Sequence, residues 1–174
     1  MERAAQTILL AIALMMPLLA AGAGESFFSL NMGDLQSEAA DAKREGKKAL
    51  LLVFEQEGCP YCRAMRENIM SRKDVQTYYR GNFVALPVDI WSSVPIRDFA
   101  NREQTEKSYS QSIKIKGTPT FVFYDLNGNE ISRVFGVVET PEEFLLLGRY
   151  ISSGAYKTRD FAQFKSQNLA KKGT

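Results

Sequence analysis

The sequence predicts an α/β fold built on a central mixed β-sheet, a βαβ unit followed by a ββα unit, with helices on its faces. Three observations predict it. Ala49 to Phe54 is a near-continuous apolar run, as expected of a strand buried on both faces. Thr120 to Tyr124 and Glu130 to Phe135 are strand-like runs joined by Asp125-Leu126-Asn127-Gly128-Asn129, whose residues favour a hairpin turn. Helical patterns separate and flank these runs, and a right-handed crossover then sets the first two long strands parallel in one sheet. With 174 residues, 45% hydrophobic and 24% charged, the chain is long and apolar enough for one domain around a sizeable core.

Taken in order, residues 1–23 read as a signal peptide. Arg3 precedes an apolar run from about Ile8 to Ala21, and Ala21-Gly22-Ala23 places small residues where a signal peptidase cuts. The run falls short of the roughly 20 apolar residues that span a bilayer, and Pro17 interrupts it, which argues against a membrane anchor. The expectation is a secreted protein, periplasmic if the source is bacterial, in a compartment where disulfides form and persist. Residues 24–33 show little periodicity and read as a flexible lead-in. Residues 34–174 read as a single domain with a C-terminal helical extension.

Leu35, Ala39 and Ala42 recur at helical spacing, with Asp34 as N-cap and Gly46 just past the end. Beyond the Ala49 strand, a helix is predicted from Pro60 to about Met70. Another starts at Ser71, where Asp74 three residues on completes a capping-box-like pattern. Val75 and Tyr79 should face inward from it. Phe83 to Val88 is a second buried strand, with Pro87 near its end. Ser92 to Gln111 is polar and charged and reads as a loop with one or two short helices ending around Ser112. Trp91, the only tryptophan, reads as a core or loop anchor in preference to a substrate contact. Thr140-Pro141-Glu142 opens a helix whose apolar face is Phe144, Leu145 and Leu147, and a last helix spans Arg159 to Ala170.

Chemistry concentrates at Cys59-Pro60-Tyr61-Cys62, which holds the only two cysteines. Thiols at this spacing can close a small disulfide ring, and a thiol at a helix start tends to ionise, so the pair points to redox chemistry. A purely structural disulfide gains little from so short a loop. Zinc within one chain lacks two ligands, because the chain has no further cysteine and no histidine; a site shared between two chains, or two unrelated buried cysteines, stays open. Pro60 suits the first helical turn, where its missing N–H costs nothing. The absence of histidine also removes the usual general base and every Cys-His or Ser-His arrangement. The net charge of +2, with cations scattered among acids, offers no nucleic-acid surface.

Cys59-Pro60-Tyr61-Cys62, combined with Gly117-Thr118-Pro119-Thr120 ahead of a hairpin strand, resembles the thioredoxin-fold family over about Asp34 to Ser152. Within it the chain looks most like secreted thioredoxin-like proteins, including periplasmic thioredoxins of the SoxW type associated with sulfur oxidation. The resemblance implies Cys59 and Cys62 as the catalytic pair. It also implies a cis Thr118–Pro119 peptide whose Thr118 backbone pairs with substrate, and a substrate surface including Pro60, Tyr61 and Gly136. Two departures stand out. The buried acid and lysine of typical thioredoxins fall on Val53 and Ala85, and the usual tryptophan before the first cysteine is Gly58. Glu55, two residues beyond Val53 on the same strand face, is a candidate proton acceptor, or else a solvated strand-end charge. Glutaredoxins share the Pro-Tyr dipeptide, but their glutathione motif after the hairpin is replaced by Gly136-Val137-Val138-Glu139.

These residues predict dithiol–disulfide exchange, with Cys59 attacking a client disulfide and Cys62 releasing the reduced client. Ser92 to Gln111 is too short for the helical insertion of disulfide-donating oxidases, which favours a protein-disulfide reductase. The expected partners are disulfide-containing protein clients and a membrane thiol-electron donor; the expected state is a monomer without cofactor or metal. The alternatives are an oxidase, or a binding module with regulatory cysteines.

Overall fold

The computed structural model describes residues 26–170, so the expected signal peptide lies outside the described residues. In chain order the elements are α1 (Leu35–Arg44), β1 (Ala49–Glu55), α2 (Pro60–Met65) continued by a π turn (Arg66–Met70), α3 (Lys73–Asn82), β2 (Phe83–Asp89), β3 (Pro95–Arg97), β4 (Glu103–Thr105), α4 (Glu106–Ser112), β5 (Thr120–Tyr124), β6 (Glu130–Phe135), α5 (Pro141–Ser152), a 3-10 turn (Ala155–Lys157) and α6 (Phe161–Ala170).

The architecture follows from β1, which is buried along its whole length. Its side chains alternate between two apolar layers. Ala49, Leu51 and Val53 meet α2, α3 and α5, while Leu50, Leu52 and Phe54 meet α1 and α4. A strand with both faces apolar needs helices on both sides and strands on both edges. The sheet order β2-β1-β5-β6 supplies the edges, with β1 parallel to β2 and antiparallel to β5, and β5 antiparallel to β6. This is the mixed βαβ-ββα sheet that the apolar runs predict.

The helices start where side chains can satisfy their first N–H groups. Asp34 accepts from the Ser37 N–H at 3.0 Å, and Thr140 accepts from the Glu143 N–H at 3.1 Å ahead of Pro141. Tyr79 and Phe144 stack at 4.4 Å between α3 and α5, and the Tyr79 hydroxyl donates to the Phe144 carbonyl at 2.7 Å. Burial pushes this phenol well above its ordinary range. Tyr150 carries α6, packing against Phe161 and Phe164. Among the described residues, no helix is long and apolar enough to cross a membrane.

Four local expectations need correction. The lead-in contains an anchor that its lack of periodicity conceals: Phe27 is buried against Tyr79 and Phe144. Two residues on, the Ser29 N–H donates to the Ala85 carbonyl, and the Asn31 amide donates to the Pro87 carbonyl, so this segment covers the open edge of β2. Ser71 does not cap α3, because its hydroxyl turns back to the Glu67 carbonyl as the π turn closes. The polar stretch after β2 includes a hairpin, β3 against β4, as well as α4. Finally, Trp91 is not a core anchor; it is 61% exposed.

Candidate functional site

β1 passes into α2 through Gln56-Glu57-Gly58. Gly58 has φ +73°, a left-handed conformation that glycine adopts without Cβ strain, so a tryptophan here would be disfavoured by the backbone itself. Cys59 follows in an extended conformation as the cap of α2, and Pro60 takes a first-turn position. Cys59 and Cys62 form a disulfide with Cα atoms 5.3 Å apart. The Cys62 N–H donates to Cys59 Sγ at 3.1 Å. Both residues are buried, Cys59 at 9% exposure and Cys62, one turn further into α2, at 4%.

A second wall comes from the loop before β5. The Thr118–Pro119 peptide is cis. The Thr118 hydroxyl donates to Cys59 Sγ at 3.4 Å, and its carbonyl oxygen lies 3.7 Å from the same sulfur. In the disulfide that sulfur has no proton, so the carbonyl makes only a contact; a reduced Cys59 thiol can donate to it. The Gly136 N–H donates to the Pro119 carbonyl at 2.9 Å, tying the end of β6 to this loop. Pro60 and Tyr61 are exposed on the first turn of α2. Contact therefore joins Cys59, Cys62 and Thr118, and a hydrogen bond joins Pro119 to Gly136.

Below the disulfide lies a cavity of about 460 Å³, lined by Glu55, Cys59, Cys62, Arg63, Arg66 and Glu67 among others. Glu55 is buried there and is not a solvated strand-end charge. Arg66 grips it with both arms of its guanidinium, Nε to Oε2 at 2.6 Å and Nη2 to Oε1 at 2.8 Å. Val53 and Ala85 lie in the apolar layer on this side of the sheet.

Arg66 is the residue that the motif alone did not reveal. A signal existed, since it stands four residues after Cys62 and seven after Cys59, on the cysteine side of a helix. Its guanidinium also covers the Phe28 ring at 4.5 Å. Trp91 reaches Gln56, a residue of the cavity lining, to whose Oε1 its indole N–H donates at 3.2 Å. Behind it Glu106 braces the loop. Burial pushes its carboxyl upward despite hydrogen bonds from the Ser92 side chain and the Asp89 N–H.

A cysteine pair closing a disulfide at a strand-to-helix junction, faced by a cis X-Pro loop on a βαβ-ββα sheet, defines the thioredoxin-like thiol-disulfide oxidoreductase fold. The chain belongs to the thioredoxin-like domain family, whose model matches residues 35–152. Among solved structures it is similar to a thioredoxin-fold protein from Helicobacter pylori, at 25% identity and TM-score 0.65 over 86% of this chain and 91% of that one. It is also similar to a thioredoxin from Thermus thermophilus, at 25% identity and TM-score 0.53 over 66% and 81%. The DsbH oxidoreductase shares the fold at 17% identity and TM-score 0.55 over 86% and 99%. None of the curated proteins compared with the chain matches it.

Proposed function

We propose that this protein is an exported protein-disulfide reductase that cycles between the Cys59–Cys62 disulfide and the dithiol. The observation that carries the proposal is the placement of Cys59 Sγ. It belongs to the less buried of the two residues, it caps α2, and it accepts from the Cys62 N–H and the Thr118 hydroxyl. Those donors stabilise an anion at Cys59 in the reduced protein. The thiolate attacks a client disulfide, forming a mixed disulfide and expelling one client thiolate. Cys62 then loses its proton and attacks Cys59 Sγ, which releases the second client sulfur and restores the ring.

Glu55 is the buried carboxylate at the wall of the cysteine cavity, and it is the proposed proton acceptor for Cys62. The client chain lies along Thr118 and Pro119, flanked by Pro60, Tyr61 and Gly136. A reductive role is supported by the short connection from β2 to β5, which holds only a small hairpin and the seven-residue α4. Export through the residue 1–23 signal delivers the protein to an oxidising compartment, where a membrane thiol-electron donor must re-reduce it. The reduction potential tests the direction. A value near about −270 mV supports the reductase, and one near about −120 mV would make the protein a disulfide-donating oxidase.

A further inference from the structure

Exchange through two sulfurs does not by itself require a bidentate ion pair in the wall of their cavity. The two partners of that pair are unequally solvated: the Glu55 side chain is 11% exposed, whereas that of Arg66 is 47% exposed. A carboxylate this far from water, lining the same cavity as Cys59, repels a thiolate there. A guanidinium in the same place attracts one. Paired, the two fields largely cancel. The other charged groups lining the cavity are Arg63 and Glu67, one of each sign, both on the Cys59 helix and its π turn. The Thr118 loop faces Cys59 with a hydroxyl and a carbonyl, neither of them charged.

Arg66 is also held from outside its helix. Phe28 presents its ring to the guanidinium at 4.5 Å and meets Phe27 edge-on at 5.1 Å. Phe27 is buried in the core, and Ser29 is bonded to the edge of β2. The segment ahead of α1 thus reaches the redox site through a single cation.

We propose that Arg66, held by the Phe28 ring, is a positioning residue that neutralises Glu55 at the disulfide cavity and so sets the stability of the Cys59 thiolate. The inference rests on Cys59 being the attacking sulfur. Its consequence is a pair of opposite signs. Removing Arg66 leaves Glu55 unpaired and destabilises the thiolate. Removing the Glu55 charge leaves Arg66 unpaired and stabilises it.

The test uses Arg66→Gln, Glu55→Gln and the double variant, each titrated for thiolate and equilibrated with glutathione above the thiol's titration range. In that equilibrium two glutathione thiols supply two electrons to the Cys59–Cys62 bond and become one glutathione disulfide, and of their two protons one stays on Cys62 while the other passes to solvent, because Cys59 is a thiolate at that pH. Arg66→Gln should raise the titration midpoint by about half a unit and favour the disulfide form about threefold. Glu55→Gln should shift both readouts the other way, and the double variant should return to the wild-type values. Phe28→Leu, which keeps an apolar side chain but removes the aromatic face, should shift in the Arg66→Gln direction by less. If Arg66→Gln does not fold, Glu55→Gln and Phe28→Leu carry the opposite-sign test between them. Shifts of one sign in both single variants, or no shift in either, would overturn the inference. A merely structural pair would lower the urea midpoint in both without opposed redox shifts. If the wild-type protein does not exchange with glutathione, the redox reading itself fails, which is a separate result.

Discussion

Replacing Thr118 with valine removes one hydrogen-bond donor from the attacking sulfur while keeping the branched shape of the side chain. In this geometry Cys59 Sγ has two donors, the Cys62 N–H at 3.1 Å and the Thr118 hydroxyl at 3.4 Å. A hydrogen bond to a charged group is worth about 1.5–3 kcal/mol. The longer distance, on a large and diffuse acceptor, puts this one below that range, at about 1 kcal/mol. At 1.36 kcal/mol per unit, the Cys59 titration midpoint should rise by about 0.7 unit. Losing a donor destabilises the anion, so the midpoint moves up, and well below it the thiolate fraction falls about fivefold. The assay is the pH dependence of single-turnover reaction between the reduced protein and a small aromatic disulfide. A midpoint that does not move in Thr118→Val would refute the assignment of Thr118 as a donor to the thiolate.

Two further predictions concern the scaffold of the site. Phe27→Ala should destabilise the fold by about 2–3 kcal/mol in urea unfolding, just under the 3–5 kcal/mol of a core phenylalanine because the segment ahead of α1 can peel away. A loss below about 0.5 kcal/mol would show that the segment is not part of the core. Asp98, buried in the β3–β4 turn, accepts from the Ala100 and Arg102 N–H groups, the Arg102 guanidinium and the Gln104 amide. Burial pushes its carboxyl upward, but these donors outweigh burial and hold it below the usual range. A lowered folded-state value gives stability that is present above the unfolded carboxylate's pKa of about 4 and is lost as pH falls through the folded value. Asp98→Asn should therefore be less stable than wild type by about 1–2 kcal/mol near neutrality, with the gap narrowing below about pH 4. A gap that is constant across the acid range would contradict the role of its charge.

The parts of the molecule legible in the sequence are those where one physical requirement dominates. An apolar run such as Leu50 to Phe54 can only be a strand with both faces covered, and Asn127-Gly128 between two apolar runs can only be a turn. Cys59 and Cys62 announced themselves by residue type, and Thr118 and Pro119 through the resemblance. What stayed hidden depends on contacts between distant segments. Phe27 and Phe28 lie in a stretch without periodicity, and their role appears only once α3, α5 and the π turn are packed beside them. Strands of three residues, as in β3 and β4, are too short for an alternating pattern to show. Trp91 is out of the core although tryptophan is highly buried on average, because a hydrogen bond to Gln56 and a lysine over its ring hold it at the surface. The alternation of β1 puts Glu55 on the face of Val53, yet its partner Arg66, eleven residues on, depends on the helix geometry.

In the proposed cycle Cys59 is the attacking sulfur and Cys62 the one that resolves the mixed disulfide. Limited alkylation of the fully reduced protein with iodoacetamide near neutral pH, followed by peptide mass mapping, tests it most directly. A single adduct on Cys59 is expected, formed while Cys62 remains protected. Preferential alkylation of Cys62, or equal labelling of both, would contradict it.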